Sequence, residues 1–219
     1  EAIVTLGKIL DENQTEWEIA QLEIGNILMS TSPQRFTVAT NHYKAVIDKI
    51  QTKERKDEAL LNYGICLLKT NQGIDAIRVF QNLIQGSKNE QIITDSFQFL
   101  ASCFEKEKNM KESIKLLEES LKKYPQQKNQ LFLHKECVRL YHLLSDFESA
   151  IKHLNIVYKE TTDPNSQAEA LFQLAGYDLK SETQTLTESG QQKLKLILQN
   201  HPKTLVAPKA AYLLGQILI

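Results

Sequence analysis

The residues in this chain best suited to chemistry are few and poorly spaced for it. Its soft and titratable groups are three cysteines, Cys66, Cys103 and Cys137, and five histidines, His42, His134, His142, His153 and His201. His134 and Cys137 lie three apart, so a helix would set them on one face, where an imidazole could take the thiol proton and leave a nucleophilic thiolate. The plainer reading of that spacing, a core cysteine beside a histidine at the core boundary, is the expected one. An odd cysteine count without a C-x-x-C argues against both a zinc site and a disulfide framework. There is no H-E-x-x-H, and the eight glycines are scattered rather than gathered into a phosphate-cradling loop. Acidic pairs such as Glu118-Glu119 are expected on solvated helix faces, and Lys106–Lys111, KEKNMK, as a polar turn. Asn13-Gln14-Thr15 fits a glycosylation sequon, a pattern short enough to arise by chance. No catalytic, cofactor-binding or metal-binding residue is assigned, and the chain is expected not to be an enzyme.

Composition narrows the partners. Twenty-six basic against 27 acidic residues leave a formal net charge of −1 in 219 residues. No global field draws nucleic acid or an anionic membrane surface. No apolar run is long enough to span a bilayer, so membrane association is expected only through a partner or an upstream anchor. The opening EAIVTLGKIL lacks the basic start and long apolar core of a signal peptide, and because it begins on Glu1 a leader is expected to have been removed or excluded.

Any functional side chain has to be carried by a scaffold, and the scaffold here is a repeat. Ala59–Leu83 reads as two short amphipathic helices joined by a polar turn, with apolar or small residues at Leu60, Tyr63, Gly64 and Leu67, then at Ala76, Phe80 and Leu83. The second helix recurs every 37 residues: Ala39, Ala76, Ser113, Ala150; then Tyr43, Phe80, Leu117, Leu154; then Val46, Leu83, Ser120, Val157. Cys66 and Cys103 share one slot in this register. In the first helix of each pair, Gly25, Gly64, Ala101, Val138, Ala175 and Gly215 hold one position, where a small side chain lets a neighbouring helix approach. Helix-interior glycine costs about 1 kcal/mol against alanine, so these glycines imply a packing reason. The expected pairs are 16–50, 55–85, 90–123, 128–160 and 165–200, flanked by half repeats at 1–11 and 206–219. Asn109 with Glu112, Asp146, and Asp163 followed by Pro164 are expected helix N-caps. Ser181–Ser189 is expected as an unusually long polar turn. Both ends fall inside a repeat, so the expectation is one solenoid over 1–219 that belongs to a longer chain.

The Gly64–Ala76–Phe80 set, with Pro125 as a unit-ending proline, resembles the tetratricopeptide repeat (TPR), though at a period of 37 rather than the usual 34 residues. The resemblance implies an all-α, right-handed α-solenoid of TPR-like helix pairs that works as a protein–protein interaction scaffold. Two junctions, Asp163-Pro164-Asn165-Ser166 leading to Glu169-Ala170 and His201-Pro202-Lys203-Thr204 leading to Ala207-Pro208-Lys209-Ala210, are similar to a bacterial cell-envelope subtype. That subtype includes the outer-membrane assembly lipoprotein with TPR-like repeats and the periplasmic coordinator of the Tol–Pal system. It implies a periplasmic or envelope location and a role in envelope assembly or maintenance. The alternatives are a cytoplasmic TPR adaptor or regulatory domain, and the recruiting arm of an enzyme whose catalytic domain lies elsewhere.

In such a stack the first helices line the concave face and choose a protein or peptide partner. Counting from the common small residue places Leu22, Asn26 and Met29, then Leu61, Ile65 and Leu68, then Gln98, then Lys135 and Arg139 in the groove. Phe132, His142, Glu169, Phe172, Gly176 and Leu179 fall in equivalent slots. The N-terminal groove therefore reads as aliphatic and the middle as polar, suited to an amphipathic helix or extended peptide. The carboxylate clamp of chaperone-binding TPR domains is not matched. Asn26 and Asn62 fill its asparagine slots, but Leu22, Asp95 and Phe99 stand where its cations should be.

Overall fold

In the computed structural model, which describes residues 14–31, 35–180 and 183–217, every regular element is a helix. They are α1 Gln14–Thr31, α2 Phe36–Ile47, α3 Lys53–Lys69, α4 Gly73–Gly86, α5 Glu90–Lys106, α6 Met110–Lys123, α7 Gln130–Leu143, α8 Phe147–Glu160, α9 Pro164–Leu179, α10 Gln184–Asn200 and α11 Ala207–Ile217. They pack as successive antiparallel pairs in a TPR-like array, and contacts gather them into two compact units, Glu1–Gln127 and Lys128–Ile219. The expected half repeat at 1–11, the sequon's Asn13 and the first two residues of the expected long turn, Ser181 and Glu182, lie outside the described residues.

Helix starts follow the side chains that satisfy their orphan N–H groups. Asn109 Oδ1 accepts from Glu112 N at 3.3 Å, Asp146 Oδ1 from Ser149 N at 3.1 Å and Asp163 Oδ2 from Ser166 N at 2.8 Å, with Pro164 at the first helical position. Asn89 does the same for α5, accepting from Gln91 N and Ile92 N. Helix ends follow a backbone rule that residue types did not announce. Asn71, Lys108 and Ser145, spaced by the repeat, each have φ 60°. Each closes a first helix with a left-handed cap, and the next N–H reaches back to a carbonyl in the last turn: Gln72 to Leu67 at 2.9 Å, Asn109 to Phe104 at 2.8 Å, Asp146 to Tyr141 at 3.0 Å.

The repeat register is the core. In the first unit Ala39, Tyr43, Val46, Ala76, Phe80, Leu83, Ser113, Leu117 and Ser120 are all buried, and Ala150, Leu154 and Val157 continue the set in the second. The common small position shows its reason in the contacts. A Cβ on Gly25 would lie 2.7 Å from Tyr43 Cζ, and one on Gly64 would lie 2.7 Å from Phe80 Cε1. Where the facing ring is replaced by leucine the slot admits a side chain, so Val138 packs in one cluster with Leu154. Size at one position is thus matched to size at its partner.

One expectation fails. Of the turn expected over Ser181–Ser189, Gln184–Ser189 is helical instead, because α10 already begins at Gln184. The extra residues lengthen the helix at its N-terminal end to 17 residues, against 14 in α4, α6 and α8. Thr187 Oγ1 bonded back to Thr183 O and Gln184 Nε2 bonded to Glu188 Oε1 support the added turn. Gly190, Leu194 and Ile197 then resume the buried second-helix pattern.

Candidate functional site

In the first unit, the expected groove residues divide. Tyr43 runs through the core, and its buried hydroxyl ends beside α1, donating to Asn26 Oδ1 at 2.6 Å and lying 3.2 Å from Met29 Sδ. Asn62 Nδ2 donates to the same Asn26 oxygen at 3.1 Å, so Asn26, Met29 and Asn62 meet. Leu22 and Met29 are half-buried against the cluster of Ile24, Leu28 and Tyr43. Leu61, Ile65 and Gln98 are half-buried as well. Leu68 is not a groove residue: it is 4% exposed and belongs to the core. The next first helix, α5, packs on α3, and Lys106 Nζ donates to the Leu68 carbonyl at 2.7 Å, which closes that end.

The second unit holds a built cleft. Lys135 and Arg139 on α7 are exposed and line it. One cavity of about 340 Å³ has a floor of Val138, Leu154, Val157, Ala170 and Val206 and a rim of Lys135, Asn165, Ser166, Glu169 and Gln173. A second, of about 450 Å³, continues along Arg139, His142, Leu143, Gly176, Tyr177 and Lys180. Lys135, Val138 and Gln173 belong to both, so the two form one cleft along α7 and α9. At about 1.5 Å per residue, Asn165 to Lys180 spans about 22 Å.

Its walls are held by short contacts. Lys135 Nζ donates to Ser166 Oγ at 2.9 Å, and Arg139 is fastened to Glu136 at 2.8 Å. His142 Nδ1 and Tyr177 Oη share a hydrogen bond of 3.0 Å. Around them the rings of His142, Phe147 and Tyr177 pack with centroids 5.5–6.0 Å apart. Burial pushes the Tyr177 hydroxyl above its ordinary range, so it is neutral at physiological pH. Leu143 and Phe147 expose 55% and 40% of their surface beside this aromatic end.

Counting slots found Lys135, Arg139, His142, Glu169 and Gly176 but missed Gln173, Tyr177, Lys180 and Leu143. The reason is geometric. A fixed set of slots describes the crest of each helix, whereas a cleft between two helices is lined by the facing edge of each. On α9 that edge runs through Glu169, Gln173 and Tyr177 at steps of four and ends three residues on at Lys180, which caps the helix. Phe172 and Leu179, also expected in the groove, turn away and pack on the core of Leu171, Leu194 and Ile197. Phe132 is exposed but lines neither cavity.

The titratable pairs carry no nucleophile geometry. His134 Nδ1 faces His153 Nδ1 at 2.8 Å, and burial together with His153 pushes His134 down to about 4. Cys66, Cys103 and Cys137 are all buried, and burial raises the Cys66 and Cys103 thiols to about 11, the opposite of an activated thiolate. Among the described residues no cluster of three or more His, Cys, Asp or Glu could hold a metal ion, and no helix is long and apolar enough to cross a membrane.

Comparison with known proteins agrees with this architecture. Residues 100–126, from the end of α5 through α6 and the turn that follows, match the tetratricopeptide-repeat family model. No curated protein sequence matches the chain. Among solved structures it is similar to a kinesin-light-chain-type protein of Podosopora anserina with nearly identical TPR-like repeats, at TM-score 0.62 and 15% identity over 87% of this chain and 99% of that one. It is similar to PilF of Pseudomonas aeruginosa at TM-score 0.58 and 14% identity, covering 88% of this chain and 80% of that one. YrrB, a TPR protein with an unusual peptide-binding site, superposes at TM-score 0.59 and 17% identity over 94% of this chain and 97% of that one. At these identities the likeness is one of fold: residues 100–126 match the tetratricopeptide-repeat model, and the chain folds as a TPR-like array of helix pairs.

Proposed function

We propose that this chain is a non-catalytic interaction scaffold that binds a segment of a partner polypeptide along its first helices. The observation that carries the reading is the cleft between α7 and α9, with its apolar floor and charged rim. A concave strip about 22 Å long suits about six or seven residues of extended chain at ~3.3 Å each. The peptide-binding site of its structural neighbour YrrB supports the same reading. Asn26, Asn62, Leu61 and Ile65 of the first unit offer a second, shallower contact strip under this proposal. The test is selection of random octapeptides displayed on phage against the intact chain. Convergent sequences that bind the folded chain and not the urea-unfolded one are expected. Failure of any family to converge would overturn the reading.

The setting in bacterial envelope assembly or maintenance belongs to the same proposal. It is supported by the two proline-led junctions, of which Asp163-Pro164 forms the capped start of α9. Fractionation of the source cell followed by immunoblotting tests it, and recovery only with cytoplasmic markers would count against it.

A further inference from the structure

The cleft of the second unit is unevenly charged. Its larger cavity is walled by Lys135, Arg139 and Lys180 and by no carboxylate side chain. Arg139 is answered by Glu136 beside it at 2.8 Å. Neither of the other two makes a contact ion pair among the described residues, although Lys135 lies close enough to the Asp163 carboxylate to help hold it ionised and Glu169 lines the adjoining smaller cavity. Lys135 Nζ meets the neutral hydroxyl of Ser166 at 2.9 Å, and Lys180 Nζ stands 5.9 Å from the centroid of the Phe147 ring. The whole chain carries a net charge of only −1, so this is a local property of the cleft and not a general basicity.

Between the two lysines the floor is apolar and partly hollow. Val138, Gly176 and Tyr177 line it together, and a Cβ added at Gly176 would meet nothing within 4 Å. Cations that are not tied into contact ion pairs reward a ligand that brings its own negative groups, and a concave wall screens that attraction less than a flat surface does. An apolar hollow between them rewards a hydrophobic side chain at the same time.

The geometry points to an acidic, extended peptide segment bearing one apolar side chain as the occupant of this cleft. Its carboxylates pair with Lys135 and Lys180, and its apolar side chain lies over Gly176 between Val138 and Tyr177. This rests on the scaffold reading and narrows it to a partner chemistry.

The octapeptides selected on the intact chain provide the probe. Their sequences are expected to be enriched in Asp and Glu around a single Leu, Ile or Phe. Lys135→Glu and Lys180→Glu are each expected to weaken the best binder about fivefold, and raising the salt from about 0.05 M to about 0.5 M is expected to weaken it further. Gly176→Leu, whose Cβ would meet nothing within 4 Å, places a side chain in the hollow and is expected to abolish binding while the helical circular dichroism is retained. Gly86→Leu, outside the cleft and equally free of neighbours, serves as the control and should bind normally. Neutral or basic selected sequences, or binding indifferent to Gly176→Leu and both charge reversals, would overturn the inference and leave the scaffold reading standing. Absence of any convergent family would overturn both.

Discussion

The three left-handed helix caps allow the sharpest test of how this repeat is built. Lys108 sits at φ 60°, exposed, and its side chain makes no hydrogen bond or ion pair among the described residues. Its backbone does the work: Lys108 N donates to Glu105 O at 2.9 Å, and the next N–H reaches Phe104 O. Left-handed backbone costs a residue with a Cβ about 1–2 kcal/mol. Glycine escapes that cost but loses about 0.5–1 kcal/mol more chain entropy on folding. Lys108→Gly is therefore expected to stabilise the first unit by about 0.5–1 kcal/mol, and Ser145→Gly the second by a similar amount. Asn71→Gly should gain little, because asparagine tolerates this conformation and Asn71 Oδ1 accepts from Lys106 Nζ at 3.4 Å. Urea unfolding followed by circular dichroism reads the effect as a raised midpoint at unchanged slope. Lys108→Ala is the control and should leave the midpoint where it was. If Lys108→Gly proves no more stable than Lys108→Ala, the left-handed cap is not what limits this turn and the reasoning fails.

Other expectations follow from the packing and the buried groups. Gly64→Ala drives a methyl into the Phe80 ring and should cost about 1–3 kcal/mol, whereas Gly176→Ala, with open space at its Cβ, should stabilise by up to about 1 kcal/mol in the same unfolding assay. His134, held near 4 in the folded chain against an ordinary 6.5, stays neutral while the unfolded chain takes up a proton. Its contribution to stability is thus complete above pH 6.5 and is lost as pH falls toward 4, by about 2 kcal/mol between pH 7 and pH 5. His134→Gln should flatten that part of the pH profile, and an equal loss in the variant would refute the assignment. All three cysteines should resist a thiol-specific chromogenic reagent in the native chain and react once it is unfolded, because they are buried and burial raises Cys66 and Cys103 to about 11.

The repeat was legible from residues because packing between adjacent helices demands matched sizes at a fixed spacing. Ala76, Phe80 and Leu83 face inward in one pair, and the same slots 37 residues away take residues that fill the same space. Caps were legible where a side chain does the capping, as at Asn109, Asp146 and Asp163, since those residue types have a local reason to be there. Three things were decided only in the tertiary structure. The left-handed caps fall on Asn, Lys and Ser, so no glycine marks them. The added residues before Gly190 extended a helix because that turn is tied back to Thr183, although its composition reads as a loop. The cleft depends on which edge of α7 faces which edge of α9, a rotation about the helix axis that periodicity leaves open. The aliphatic stretch around Leu61 and Leu68 therefore looked like the binding surface, until α5 covered Leu68 and Tyr177 and Lys180 turned out to face Lys135 and Arg139 across a cleft.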